Sequence, residues 1–224
     1  MKRIVYFLII CCMAVSCGVS KKMTRASQYP KMYGEKPVTL LVMPPINNTT
    51  FAEAKDLLYA SIARPLAEAG YYVISPLLAM DVLNAEGACD SEKFLDAPLA
   101  DFQKLFGADA VVFSVIDSWE KRDMGIATGI RYIIKSAHTN EVLFERNCDI
   151  YLDLAVYSAI GGALGSIVNL AASAINSATA EHIEAARKSN YYIFSDLPRG
   201  EYSPEFMQDQ KKAAKEKDVF EIVD

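Results

Sequence analysis

Between Asp153 and Glu181 the chain runs for 27 residues without a single charge, and no other feature constrains its fold as much. That length alone could cross a bilayer. The pattern inside it argues otherwise, because Val156, Ile160, Leu164, Ile167, Ala171, Ala174 or Ile175, and Ala178 form an aliphatic helical stripe, while Ser158, Gly162, Gly165, Asn169, Ser173 and Asn176 form a small, polar one. A helix bathed in lipid keeps residues such as Asn169 and Ser173 for a partner or for water. The stretch therefore predicts a helix over 155–180 that lays its aliphatic side on the rest of the fold. Its other side, at Gly162, Gly165, Asn169 and Ser173, is a candidate protein contact, either with a second copy or with an assembly partner.

The N-terminus constrains location. Lys2 and Arg3 precede an apolar run from Ile4 to Met13, which leads to Ala14-Val15-Ser16-Cys17. A positive start, a short apolar stretch and small residues make a secretory signal that is too short to span a membrane. The last four of those residues resemble a bacterial lipobox, which implies cleavage before Cys17 and acylation of its thiol, and so stable anchoring by more than one lipid chain. Ordinary signal cleavage, leaving a soluble protein, is the other reading. Removing residues 1–16 takes two basic residues and no acid, leaving 21 basic residues against 28 acidic ones, a net charge of −7. A balance so acidic gives little reason to bind nucleic acid or to hug anionic lipid. Gly18 is not the acidic residue associated with inner-membrane retention, and Val19-Ser20-Lys21-Lys22 lacks an acidic export tract. The outer membrane, on its periplasmic face, is the expected site. Cys89 and Cys148 are the remaining thiols, and an oxidising compartment leaves both a bridge and two separate thiols open.

Composition, 52% hydrophobic and 23% charged, is that of a globular chain. Residues 17–36 show no sustained period and read as the lipidated cysteine and a tether. Val38 to Met43 is a buried strand stopped by Pro44-Pro45. Ala54, Leu57, Leu58, Ile62 and Leu66 mark a core-facing helix ending near Gly70, with Pro65 able to kink or shorten it. Tyr71 to Ile74 is a second strand, and short helices follow at Pro76 to about Asn84 and from Asp96 or Ala97 to Phe106. Ala110 to Ile116 is almost wholly apolar, as in a central strand covered on both faces. Alternation of Ile130, Tyr132 and Ile134 with Arg131 and Lys135, resumed at Val142 and Phe144, predicts an antiparallel hairpin through His138-Thr139-Asn140. The whole is an α/β fold: a single mixed sheet flanked by helices, with a long uncharged C-terminal helix. Tyr191 to Phe194 reads as a short strand or apolar latch, and 207–224 as a charged, solvated tail.

No catalytic constellation stands out. His138 and His182 lack the neighbours of a metal pattern. Gly161-Gly162-Ala163-Leu164-Gly165 matches neither dinucleotide nor phosphate-loop spacing and is better explained by close helix packing. Asp90, Glu92 and Asp96 fit no calcium-loop pattern. The reading is of a protein with no catalytic residues, no metal, no cofactor and no nucleic-acid partner.

Several segments together carry a resemblance: Val42-Met43-Pro44-Pro45-Ile46-Asn47-Asn48, Pro65 to Val73, Phe106-Gly107-Ala108-Asp109-Ala110, Thr139 to Leu143, and Leu197-Pro198-Arg199-Gly200-Glu201-Tyr202-Ser203-Pro204. They resemble a bacterial lipoprotein family of unknown function that includes a meningococcal vaccine-candidate lipoprotein, over residues 37–206. That resemblance implies a fold like the N-terminal domain of TolB and the periplasmic domain of CsgG. It also implies a role as an interaction module in an envelope transport or assembly complex, with a CsgG-like lipoprotein as partner. Glu201 stands where the family usually has proline. An envelope enzyme or small-ligand carrier is the competing class.

Overall fold

A computed structural model describes residues 23–123, 125–153, 170–216 and 218–223. The leader, Cys17, Gly162, Gly165 and Asn169 lie outside the described residues, as does the side chain of Ser173. In chain order the elements are helices α1 (Arg25–Gln28) and α2 (Pro30–Glu35), strands β1 (Thr39–Val42) and β2 (Ile46–Asn47), and helix α3 (Ala54–Glu68). Next come strand β3 (Tyr72–Val73), helix α4 (Pro76–Ala85), a 3-10 turn at Ser91–Phe94 and helix α5 (Ala100–Phe106). Strands β4 (Ala110–Arg122), β5 (Gly125–Ser136) and β6 (Val142–Asp153), helix α6 (Leu170–Phe194) and strand β7 (Asp218–Val223) complete the chain.

All seven strands belong to one mixed sheet in the order β3-β1-β4-β5-β6-β7, with β2 beside β4 beyond the end of β1. The β4-β5 and β5-β6 pairs are antiparallel, and the outer pairs are parallel. Alternation along the strands sorts side chains between two layers. Leu40, Val42, Val112, Tyr132 and Ile134 meet Leu58, Ile62 and Leu66 of α3 and Ala185, Ala186 and Ile193 of α6 on one face. On the other face Leu41, Met43, Val111, Phe113 and Ile133 meet Ala79 and Leu83 of α4 and Phe102 of α5. Burial on both faces explains why the Ala110–Ile116 segment is so nearly apolar throughout. Cys148 sits in the first layer and Cys89 against the second, so the two thiols are on opposite sides of the sheet and form no bridge.

Three segments depart from the expectations above. Tyr191 to Phe194 is the last turn of α6, not a strand or latch, because Ile193 and Phe194 continue the buried stripe Ala185, Ala186, Ser189, Asn190. The described part of this long helix also carries charges, among them Glu181, Glu184, Arg187 and Lys188. Residues expected to be tether form α1 and α2, with Arg25, Tyr29 and Met32 buried. The expected solvated tail folds as well: Asp209 is wholly buried, and Asp218–Val223 pairs in parallel with β6 from Asn147 to Leu152. None of the described helices is long and apolar enough to cross a membrane.

Candidate functional site

Helices α3 and α6 lie side by side on the sheet and are held by one polar residue. Asn190, fully buried, donates its amide to the Leu58 carbonyl at 3.1 Å and to Ser61 Oγ at 2.9 Å, while its oxygen accepts from the Tyr132 hydroxyl at 2.9 Å. One side chain thus joins two helices and the sheet. One position earlier on α6, a bond between Thr128 Oγ1 and Ser189 Oγ at 3.0 Å ties that helix to the sheet. Buried polar groups partnered this completely give the helices a unique register rather than a site for chemistry.

Next to this contact a groove of about 710 Å³ lies between the two helices. Leu57, Ala60 and Ser61 from α3 and Ile183 from α6 line its wall, and Arg64, Arg187, Lys188 and Glu184 its polar rim. Tyr191 stands at the mouth, 61% exposed. Arg64 pairs with Glu68 at 2.8 Å and Arg187 with Glu184 at 3.7 Å, so the rim is basic but partly neutralised. Small residues at 60 and 61 create the space, and the exposed phenol offers an amphipathic anchor of the kind enriched where proteins meet.

Midway along α6 the half-buried His182 ring stacks on Phe51 with centroids 4.4 Å apart, and its Nδ1 accepts a hydrogen bond from Trp119 Nε1 at 2.9 Å. Burial and the neighbouring Lys121 lower its pKa below the ordinary histidine value, with Glu181 and Glu53 opposing. The ring is a packing and hydrogen-bonding partner of the sheet. His138, in the β5-β6 turn, lies 3.3 Å from Asp109 Oδ1, far along the chain from His182. The structure does not bring the two histidines together. Of the acidic loop residues, Asp90 pairs with Lys93 at 3.1 Å. Among the described residues no group of three metal-ligating side chains converges.

The resemblance segments have structural reasons of their own. Asp109 Oδ2 accepts from the backbone N–H groups of Val38 and Thr39 at 3.0 and 2.9 Å, fixing where β1 starts. Pro65–Val73 and Leu197–Pro204 cross at Gly70 and Gly200, where Gly200 N donates to Ala69 O at 2.9 Å and Tyr202 N to Gly70 O at 3.0 Å. Glu201 is exposed in that turn and nothing in its surroundings calls for proline.

Comparison with known proteins defines the class: this α/β domain is that of a bacterial lipoprotein family. The chain belongs to the family described as "Putative lipoprotein GNA1162-like", whose model matches residues 27–148. A curated relative from Neisseria meningitidis serogroup B, "Putative lipoprotein NMB1124/NMB1162", is 22% identical over 191 residues, covering 82% of this chain and 88% of that protein. The crystal structure of lipoprotein GNA1162 from Neisseria meningitidis is 19% identical with a TM-score of 0.48, spanning 59% of this chain and all of that one. A PelC dodecamer from Paraburkholderia phytofirmans is 14% identical with a TM-score of 0.35, over 49% of this chain and 69% of that chain.

Proposed function

We propose that this protein is a lipid-anchored envelope lipoprotein, acylated on Cys17 and held at the periplasmic face of the outer membrane. There it serves as a non-enzymatic interaction module in a transport or assembly complex, with a CsgG-like lipoprotein as the favoured partner. The observation that carries the reading is the α3-α6 groove. Beside it the polar groups of Asn190, Ser61 and Tyr132 are already paired with one another, while the groove itself presents Tyr191 and cationic side chains. A surface of that kind can bind without a reacting group. The small-residue positions Gly162, Gly165, Asn169 and Ser173 supply a second contact, with another copy or the same partner, because small side chains let backbones approach.

Three variants test this. Cys17→Ser should move the protein from the membrane fraction to the soluble periplasm. Tyr191→Ala combined with Arg187→Glu should leave the protein folded and membrane-bound but remove proteins that co-purify after mild-detergent extraction. Unchanged co-purification with that double variant and with Gly162→Leu/Gly165→Leu would sink the interaction reading. A small-ligand carrier is the second reading, favoured by a groove volume within the usual range for ligand pockets, roughly 300–1,000 Å³. Native mass spectrometry of the extracted protein would reveal such a ligand as a discrete added mass.

A further inference from the structure

Entry of the chain into the domain is fixed by main-chain pairing. Ala214 N donates to Met23 O at 2.8 Å, Arg25 N to Lys212 O at 2.9 Å and Ala26 N to Gln210 O at 3.1 Å, so residues 23–26 run against 210–214. Gln28 Nε2 adds a bond to Lys215 O at 2.9 Å. Beneath this pairing Arg25 is clamped by Asp209 at 2.9 Å and by Ser195 O at 2.9 Å. Met23 is therefore tied directly into the domain. Six residue steps separate Cys17 from Met23, and fully extended they reach about 20 Å. A lipid on Cys17 would hold this one face of the domain near the bilayer.

That face is locally basic although the protein as a whole is acidic. Lys211 and Lys212 are exposed in the strap paired with the entry segment, and Lys215 is half-buried beside them. The acids among them are Glu205, which pairs with Lys212 at 2.6 Å, and the exposed Glu216. Lys215 keeps its ammonium 3.7 Å above the Tyr192 ring. The net charge of −7 that argued against contact with anionic lipid conceals this segregation. We infer that the strap carrying Lys211, Lys212 and Lys215 docks the domain onto an anionic phospholipid surface. Such a patch is weak by itself, because charges act over only about 8 Å at physiological ionic strength. A short tether supplies the missing proximity, converting docking into an intramolecular step. This inference rests on the proposed acylation of Cys17.

The test uses the full-length lipidated protein, extracted in detergent and reconstituted into vesicles of phosphatidylethanolamine with phosphatidylglycerol, or of phosphatidylcholine alone. Lysine acetylation rates are read by mass spectrometry. In the anionic vesicles Lys211 and Lys212 should react several-fold more slowly than in phosphatidylcholine, with the difference lost in about 1 M salt, where screening shortens to roughly 3 Å. Lys104, 72% exposed on α5, should react equally in both. A K211E/K212E variant should show no difference between vesicles at Lys215 while remaining vesicle-bound through its lipid. Equal rates at Lys211 and Lys212 in both vesicles, with the wild-type protein vesicle-bound, overturn the docking alone. A chain that acquires no lipid and floats with neither vesicle overturns the anchor and the docking together.

Discussion

Gly70 and Gly200 touch backbone to backbone, and neither has room for a side chain. A Cβ on Gly70 would lie 2.5 Å from Ser203 N, and one on Gly200 would collide with the Gly70 carbonyl. Gly70 also has φ +96, in the region L-residues avoid. Tyr71 seals the crossing by donating its hydroxyl to Pro198 O at 2.6 Å. Two segments 130 positions apart in the sequence thereby become one structural unit, at the edge of the sheet where β3 begins.

Gly70→Ala should accordingly cost about 3 kcal/mol or more, combining backbone strain with overpacking. Gly87 is the control. It shares the positive φ, at +66, but a Cβ added there would meet nothing within 4 Å, so Gly87→Ala should cost only about 1 kcal/mol. Urea denaturation of both variants checks the contrast. Equal losses would show that the backbone angle, not the crossing, sets the cost.

Arg25 organises the other buried junction. With Arg146 it faces Asp196 and Asp209, two cations against two anions, all at most 8% exposed. Asp209 also accepts from Tyr33 Oη at 3.0 Å and Arg199 N at 3.0 Å, and Asp196 from Tyr29 Oη at 3.0 Å. Removing one partner leaves a buried charge uncompensated, so Arg25→Met should destabilise by roughly 3–5 kcal/mol. The double variant Arg25→Met/Asp209→Asn should recover part of that loss. Chemical denaturation of the single and double variants measures the coupling, and simple additivity would mean the two groups act independently.

These two junctions explain what the sequence can and cannot announce. Strand β6 and helix α3 follow from period, because each buries one regular face, while β1, buried on both faces, is legible as a short apolar run stopped by Pro44-Pro45. The β4 strand is legible only to Ile116. Beyond it Asp117, Glu120 and Arg122 are exposed, Trp119 alone is inward, and a bulge between Ile116 and Ser118 shifts the alternation. Helix α6 runs past the end of its visible pattern because Ser189 and Asn190 occupy buried positions, which hides the apolar period, and because Tyr191-Tyr192-Ile193-Phe194 has strand-like composition. Segments 25–35 and 195–216 have no period at all. Ion pairs, turns and the glycine crossing hold them, and such interactions connect residues too distant in sequence to leave a local pattern. The α3-α6 groove leaves no sequence signal for a related reason: Ala60 and Ser61 open it only because Asn190 brings α6 alongside.

Asp109 offers a pH test. Burial raises its pKa, but the Thr39 and Val38 N–H groups and His138 lower it further, so the net shift is below the ordinary 3.8. A depressed carboxyl contributes stability that is present above its unfolded pKa and is lost as pH falls through the folded value. Asp109→Ala should cost about 1–3 kcal/mol at neutral pH, since it strips a charged acceptor from two backbone donors. The deficit relative to the natural protein should shrink in acid below about pH 3.8, measured by thermal denaturation across pH. A deficit independent of pH would assign the effect to packing.

The Trp119–His182 bond gives the opposite kind of titration a built-in reporter, because Trp119 is the only tryptophan in the chain. His182 accepts the indole proton at Nδ1, so its own proton sits on Nε2 when neutral. Protonation would place a second hydrogen at Nδ1, pointing at the donor, and the bond must break. Burial, reinforced by Lys121, already holds the pKa below 6.5 against the pull of Glu181 and Glu53. The folded state therefore prefers neutral histidine: its contribution to stability is complete above about pH 6.5 and declines as pH falls through that value and then the lower folded one. Trp119 fluorescence should change with a single midpoint below 6.5 while the protein remains folded by circular dichroism. His182→Gln should abolish that transition and flatten the accompanying loss of stability. A transition that persists unchanged in His182→Gln would mean that another group controls the Trp119 environment and that the bond is not the titrating element.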